Sequence, residues 1–408
     1  MQLTVNELRT TLGRRSRLSG PALLTLSIAA TLHAQSFSSG STGADGDLIV
    51  NTTGVTTFTA TPVGGGNIYN FKTIQIAAGA TLRLSGQVFA TPLYFLAQGA
   101  VTVAGTIDLS GQNGVVPATS GQRTGPTIPG AGGYGGGAAA FGASAALSGL
   151  GPLGGAVNGL TCYGHLLGSP GGASATQFLV PLAGGSGGAG NVANGGAGGG
   201  ALLIASSVSI TVNGTITAAG GSGAQTNGGN GSGGGAGGGI RLVAPTIAGA
   251  GTGTITAAGG NPGYNNSCNN TGANGIVRLE SFQYTFNGTT GGNLYTASPV
   301  ALFLPAANTQ PLITVTSING IAVPASPSGT FTVPDVLLNS TSPLTVNIHA
   351  TNVPVGTIPT LYFATQNFPD QTIVPTALAG TPTSSTATAT VTLNPGYSIG
   401  FVTATWVQ

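Results

Sequence analysis

Short runs in which apolar and polar residues alternate follow one another along most of the chain, separated by Gly, Pro or Asn. Clear examples are residues 73–76, 81–84 and 101–103. Alternation with a period of two places every second side chain on the same face of a β-strand. The pattern therefore predicts an all-β protein built from short strands and tight turns.

One unit of this pattern occurs twice. Residues 196–221 and 235–260 both contain a glycine run, an aliphatic strand and the segment Gly-Thr-Ile-Thr-Ala-Ala-Gly-Gly, displaced by 39 residues. Residues 93–107 align with 202–216 at an offset of 109. Repetition at such intervals is typical of stacked architectures in which each repeat contacts only its neighbours.

Each unit contains three short strands, which is what one coil of a parallel β-solenoid needs. Strands on adjacent coils would then lie about 4.8 Å apart. This arrangement predicts that residues 215–217 and 254–256 lie side by side on adjacent coils. An antiparallel sandwich made of the same strands is the alternative.

Two long glycine-rich stretches interrupt the repeats. Residues 111–200 form an insertion of low complexity, and a shorter stretch spans 220–239. Such segments form either flexible surface loops or ordered layers in which backbones approach closely because side chains are missing. We expect partly ordered loops on one side of the solenoid.

The composition changes near residue 300, where Gly becomes rarer and Pro, Thr and Val become more frequent. Strand candidates then recur at a spacing typical of an immunoglobulin-like sandwich. The candidates are 311–318, 329–338, 343–351, 358–366, 371–378, 384–393 and 398–407. The predicted fold is a parallel β-solenoid (β-helix) with long glycine-rich loop insertions over 35–300, followed by an Ig-like β-sandwich over 301–408.

Residues 1–34 have the pattern of a secretory signal peptide, with a basic beginning, an apolar segment at 21–32 and Ala34 before the expected cleavage. Without them the chain has five basic and six acidic residues, a formal net charge of −1. The mature chain therefore offers no basic patch for nucleic acid and no second apolar segment to span a membrane. We expect an extracellular or cell-surface protein.

Charged residues make up 4% of the sequence, hydrophobic residues make up 40%, and 73 of the 408 residues are Gly. Low net charge combined with many aliphatic residues separates this composition from that of disordered chains. The glycines follow no strict Gly-X-Y period, which excludes collagen. The composition predicts a buried core beneath a neutral polar surface.

Cys162 and Cys268 are the two cysteines. An even number of cysteines in an exported chain favours a disulfide, here one that would tie the long insertion to the solenoid. Two free thiols are the alternative.

The few charged residues offer only weak candidates for a site. Asp45 and Asp47 could share a Ca²⁺ ion on one strand face, although a solvated turn is the favoured interpretation. Asp108 could lie near Arg83 or Arg241, as an ion pair or as part of a catalytic group. No catalytic, cofactor-binding or metal-binding set is predicted.

The motifs Leu-Leu-Ile-Ala and Val-Ser-Ile-Thr-Val-Asn-Gly-Thr-Ile-Thr, with the glycine runs beside them, resemble those of exported glycine-rich bacterial surface proteins with adhesin-like β-solenoid repeats. The resemblance covers residues 67–290. It implies a surface or matrix role, with a surface polysaccharide or another matrix protein as partner. The oligomeric state is left open.

The leading hypothesis is a secreted or cell-surface structural or adhesive protein that acts through a repetitive β-solenoid surface. A β-helix carbohydrate-active enzyme or carbohydrate-binding protein is the alternative, favoured if Arg83, Asp108 and Arg241 meet in a cleft. Outward Thr ladders at 215–217 and 254–256 are plain solvent-facing β residues in the favoured interpretation. Binding of ice or another crystal surface through these ladders is a third hypothesis.

Overall fold

The computed structural model describes most of the chain beyond residue 35. The described residues are 36–116, 125–140, 145–162, 165–169, 171–173, 175–225, 231–263, 268, 270–306, 309–325, 327, 333–340 and 343–406, without the side chains of 161–167. The predicted signal peptide, residues 1–34, lies outside them. The described part is all-β and contains no α-helix.

Twenty strands precede residue 300 among the residues that the structure describes. They are β1 (Leu48–Val50), β2 (Gly54–Thr57), β3 (Ile68–Phe71), β4 (Ile74–Ile76), β5 (Ala80–Arg83), β6 (Leu93–Ala97), β7 (Val101–Val103), β8 (Thr106–Asp108), β9 (Leu160–Cys162), β10 (His165–Leu167), β11 (Ala201–Ser206), β12 (Ser209–Val212), β13 (Thr215–Thr217), β14 (Gly239–Val243), β15 (Thr246–Gly249), β16 (Thr254–Thr256), β17 (Ile276–Glu280), β18 (Gln283–Phe286), β19 (Thr289–Gly291) and β20 (Asn293–Ala297). Strands β9 and β10 form an antiparallel hairpin within the insertion.

The other strands form three parallel six-stranded sheets. Sheet A contains β1, β4, β7, β12, β15 and β18; sheet B contains β2, β5, β8, β13, β16 and β19; sheet C contains β3, β6, β11, β14, β17 and β20. The chain visits A, B and C in the same cyclic order, so each circuit adds one coil to a stack. The stacked, solenoid-like arrangement is confirmed, and the antiparallel alternative is wrong for this region.

Alternation determines which side chains face the interior. Ile216 of β13 pairs with Ile255 of β16 and with Ile107 of β8, and all three are fully buried. The predicted adjacency of 215–217 and 254–256 is therefore confirmed. Equivalent Ile, Leu and Val residues of sheets A and C complete one continuous core.

The pairing in sheet C differs by one residue from the sequence repeat. The two copies overlay at 39 residues, but Leu202 pairs with Ile240 at a separation of 38. A shift of one residue would turn every side chain to the opposite face. The observed register keeps Leu202 and Ile204 inside beside Ile240 and Leu242, so burial of aliphatic surface decides the pairing.

The described parts of the glycine-rich stretches pack against one another through backbone hydrogen bonds. In segment 194–200 every third backbone N–H donates to the same neighbouring segment. The donor–acceptor pairs are Asn194–Val115, Ala197–Gln112 and Gly200–Leu109 for one neighbour, Gly195–Gly137 and Gly198–Tyr134 for a second, and Gly196–Gly233 and Gly199–Ala236 for a third. A hydrogen-bond period of three residues matches an extended helix of the polyproline II type, which has three residues per turn.

Segment 231–238 has the same pattern and contacts six neighbouring segments. Its N–H groups donate in turn to segments 218–224, 184–190 and 270–275, and its carbonyls accept from segments 194–200, 257–263 and 168–169 with 171–172. We call these packed segments, together with 109–115 and 130–140, the glycine bundle. All of its segments belong to connections from sheet B to sheet C, so the bundle lies along one corner of the solenoid.

Eight strands follow in the C-terminal region. They are β21 (Leu312–Ile318), β22 (Ile321–Ala322), β23 (Leu344–Thr351), β24 (Thr360–Thr365), β25 (Gln371–Ile373), β26 (Ala379–Thr381), β27 (Ser384–Val391) and β28 (Ser398–Thr403). They form two antiparallel sheets, ordered β22-β21-β23-β27-β26 and β25-β24-β28, around a separate aliphatic core. The candidate at 329–338 is not a strand in its described part, 333–338.

Close packing in the glycine bundle leaves no room for a Cβ atom at many of its glycine positions. A Cβ at Gly196 would lie 1.8 Å from the carbonyl oxygen of Gly221, whereas one at Gly64 would meet nothing within 4 Å. We expect Gly196→Ala to lower the free energy of unfolding by about 2 kcal/mol or more because the backbones must separate. Gly64→Ala should change it by less than about 0.5 kcal/mol. Thermal and denaturant unfolding of both variants measure the difference, and equal stabilities would contradict this packing.

Candidate functional site

The outward side of sheet B, which we call the threonine face, carries the most regular set of polar side chains. Its first rank runs across all six coils through residues paired in register. The rank consists of Val55, Thr81, Thr106, Thr215, Thr254 and Thr289. Five threonines therefore stand on consecutive coils, and at about 4.8 Å per coil they span about 19 Å.

A second rank runs beside the first, two residues further along each strand. It consists of Thr57, Arg83, Asp108, Thr217, Thr256 and Gly291. The sequence analysis identified the ladder only at 215–217 and 254–256. The offset of 109 already placed Thr106 on Thr215. The segments TLRLSGQ (81–87) and TIDLSGQ (106–112) are also similar and place Thr81 on Thr106, and Asn-Gly-Thr at 287–289 matches Asn-Gly-Thr at 213–215.

Arg83 and Asp108 form an ion pair within the second rank. Arg83 Nη1 lies 2.8 Å from Asp108 Oδ2, and Arg83 Nη2 donates to the carbonyl of Ser110. The Ser110 N–H donates to Asp108 Oδ1. Both side chains are partly exposed, and Arg83 also lines a shallow cavity of about 270 Å³ beside Gln87 and Gln112.

Arg241 lies on sheet C, away from Asp108. Its Nε donates to Glu280 Oε1 at 2.9 Å, and Arg278 Nε donates to the same oxygen at 2.6 Å. Glu280 is fully buried and Arg241 is 3% exposed. Burial raises the pKa of the neighbouring Tyr94 to about 12, an effect that the charge of Arg241 opposes.

This buried triad lies under a cover on the outer side of sheet C. Leu179 and Leu182 of the insertion pack there, and so do Leu302 and Leu304 beyond β20. Phe178 lies 5.5 Å from the guanidinium of Arg278. The outer side of sheet C is therefore occupied by the chain itself, whereas the threonines in the first rank of the threonine face are partly or fully exposed.

Asp45 lies in a turn and Asp47 follows it before β1, so neither residue is on a strand. Asp45 accepts the backbone N–H groups of Val63 and Asn70, and Asp47 accepts the hydroxyl of Thr73. These contacts hold the chain entering the first coil. Within the described part of the chain, no group of three or more His, Cys, Asp or Glu side chains is placed to hold a metal ion.

The three charged residues proposed as a possible catalytic group do not meet. Arg83 and Asp108 pair on sheet B, and Arg241 pairs with Glu280 on sheet C. Glycosidic cleavage requires an acid and a second carboxylate or base on opposite sides of one bond. The structure places one carboxylate, Asp108, on the threonine face, where it is bonded to Arg83.

Cys268 is buried and is not a free thiol. Cys162 ends β9, and its side chain lies outside the described residues. The pairing of Cys162 with Cys268 stays a prediction.

No protein-family model, curated protein or solved structure matches this chain. Across its described residues, the chain has no helix with the length and apolar character needed to cross a membrane.

The two ion-pair groups should differ strongly in their effect on stability. Glu280→Gln leaves Arg241 and Arg278 facing each other in a buried site, so we expect a loss of about 3–5 kcal/mol in unfolding free energy. The matched variant Asp108→Asn removes a partly exposed pair and should cost at most about 1 kcal/mol. Chemical denaturation measures both losses. Similar losses for the two variants would contradict the assignment of Glu280 as the buried centre.

Proposed function

We propose that the protein is an exported structural or adhesive protein whose threonine face binds the surface of a neutral, repetitive polysaccharide. The observation that carries the proposal is the rank of five threonines on consecutive coils. Each threonine presents one hydroxyl and one methyl group at a regular spacing. This surface is chemically complementary to a polymer whose hydroxyl and C–H groups also recur regularly.

Charge supports a neutral partner. The first rank of the threonine face contains no charged residue, and Arg83 and Asp108 neutralise each other in the second. A polyanion would find no excess of positive charge to displace its counterions. Hydroxyl groups can both donate and accept hydrogen bonds, so they suit the hydroxyls of an uncharged sugar.

The core beneath the face makes it rigid. Leu82, Ile107, Ile216 and Ile255 hold the strands of sheet B from the inside, and each is at most 1% exposed. A pre-ordered surface loses little conformational entropy on binding, which favours weak contacts repeated many times. The face therefore acts through the sum of its ranks and needs no deep pocket.

Two further features agree with a surface role. The N-terminal pattern at 1–34 indicates export, and the resemblance to glycine-rich surface proteins covers 67–290. We interpret the two antiparallel sheets after residue 311 as an Ig-like sandwich that serves as a separate module. The solenoid would then supply the binding face, and the sandwich would supply a second surface for attachment to the cell or matrix.

Export also supports a disulfide between Cys162 and Cys268. We expect non-reducing peptide mass spectrometry of the secreted chain to recover the two cysteines in one linked species. The double variant Cys162→Ser/Cys268→Ser should lose about 2–5 kcal/mol of unfolding free energy. Alkylation of both cysteines without prior reduction would disprove the pairing.

Co-sedimentation with insoluble cellulose, chitin and β-glucan tests the proposed face. The variant Thr106→Glu/Thr215→Lys/Thr254→Glu introduces charge and bulk, and opposite charges on neighbouring strands keep the sheet stable. We expect its binding to at least one of these polymers to weaken by about tenfold or more, equivalent to about 1.4 kcal/mol. Unchanged circular dichroism and thermal stability would show that the fold is intact.

The matched control is placed on sheet A, where Gln75, Thr102 and Thr211 share one outward rank on consecutive coils. Gln75→Glu/Thr102→Lys/Thr211→Glu should bind like the unmodified chain. Equal loss in both variants, or no binding to any polymer, would overturn the proposal. Release of soluble sugars would favour the enzyme alternative, and face-dependent inhibition of ice recrystallisation would favour binding to ordered water.

A further inference from the structure

The two ends of the solenoid differ in how well other parts of the chain cover the core. At the N-terminal end, residues 43–46 close the edge of β3, because Asp45 N–H donates to the carbonyl of Asn70 and the Lys72 N–H donates to Gly46. Tyr69, which faces the interior from β3, is 1% exposed and packs edge-to-face against Phe58 and Phe95. The core next to β3 is therefore covered at this end, although β1 and β2 also pair on one side only.

The C-terminal end lacks such a cover in the described part of the chain. Leu294 of β20 pairs with the core residue Val277 and so occupies an inward-facing position, but it is 42% exposed. Tyr284 and Tyr295 of the same last circuit are 44% and 37% exposed. A core position stands open to solvent because no further coil covers it.

The edge strands at this end also lack protection. Strands β18, β19 and β20 each pair on one side only. Their sequences, QYTF, TTG and NLYTA, contain no charged residue and no proline. Natural edge strands usually carry such residues to prevent pairing with another chain.

The chain that follows β20 turns away from the open end. Leu302 and Leu304 pack on the outer side of sheet C beside Leu96 and Leu203, which belong to earlier coils. The C-terminal region approaches the glycine bundle at the side of the stack, where a Cβ at Gly125 would lie 2.4 Å from Ile399 Cδ1. The last circuit is therefore left accessible.

We propose that this open end binds the same end of a second copy of the chain, forming a twofold dimer through β18, β19 and β20. A twofold contact joins identical surfaces, and an uncharged end brings no like charges together. Antiparallel pairing of free edges would satisfy their backbone groups, and the contact would cover Leu294, Tyr284 and Tyr295. The closed edge of β3 and the buried Tyr69 at the N-terminal end disfavour a head-to-tail fibre.

Sedimentation velocity and light scattering of the mature chain over a concentration series test the dimer. We expect a species of twice the chain mass. Leu294→Lys should raise the dissociation constant by about tenfold or more, because it places two ammonium groups at a desolvated contact. The matched control Val55→Lys changes an exposed residue of β2 at the opposite end and should leave the dimer intact.

Hydrogen exchange provides a second readout that does not depend on any substitution. Amides of 283–297 should become more protected as the concentration rises, while those of 48–57 should not change. A monomer at all concentrations would overturn the proposal. Loss of the dimer in Val55→Lys, or the formation of species larger than a dimer, would contradict the twofold contact. Either result would show that the C-terminal end of one solenoid binds the N-terminal end of the next. The measurements of dimer formation do not depend on polysaccharide binding. Either proposal can therefore be disproved while the other stands.

Discussion

Every other feature of the solenoid depends on the burial of aliphatic side chains inside a closed stack of coils. No single coil can bury its inward side chains, because each contributes only a few residues per sheet. The ladder of Ile107, Ile216 and Ile255 shows the solution, in which each residue is covered by its counterpart one coil away. The same stacking that buries these residues also aligns the outward threonines, so the threonine face is a direct result of the core.

The glycine bundle solves the problem of long connections between sheets. A buried connection would normally leave backbone N–H and C=O groups without partners. In segment 231–238 these groups point in turn to six neighbouring segments, so the backbone is satisfied without strands or helices. This arrangement requires the absence of Cβ atoms at most positions, which explains why glycine is concentrated between residues 111 and 275.

The sequence predicted the solenoid well and the bundle poorly, for a physical reason. Alternation and the recurring Gly-Thr-Ile-Thr segment reflect inward and outward side chains, so they reveal strands and their adjacency. The bundle is held by backbone hydrogen bonds, which leave no pattern of apolar and polar residues. A run of glycines reads the same whether it is flexible or packed, and the distinction depends on partners that lie far away in the sequence.

The threonine face and the ion pairs were predictable from the sequence only in part. The repeated Thr-Ile-Thr segment located two coils of the threonine face, whereas Thr81 and Thr289 lie in shorter matches to the repeat that the register of the sheet confirms. Glu280, the partner of Arg241, was missed although Arg241-Leu242 recurs as Arg278-Leu279 at an offset of 37, which places Arg241 beside Arg278 and near Glu280. On the other side, the 39-residue overlay places Arg241 beside Leu202, whereas the structure pairs it with Leu203. A displacement of one residue decides which face a side chain occupies, and sequence repeats alone do not fix it.

The scarcity of charge in this chain also follows from the stack. A side chain on one coil meets its counterpart on the next at about 4.8 Å, so a repeated charge would meet a like charge unless another residue compensates it. Arg241 and Arg278 are such neighbours in sheet C, and Glu280 bonds to both. Arg83 meets the opposite charge of Asp108 one coil away. Neutral threonine avoids this conflict at any number of coils, so a regular solenoid face made of this residue is uncharged, rigid and repetitive at once.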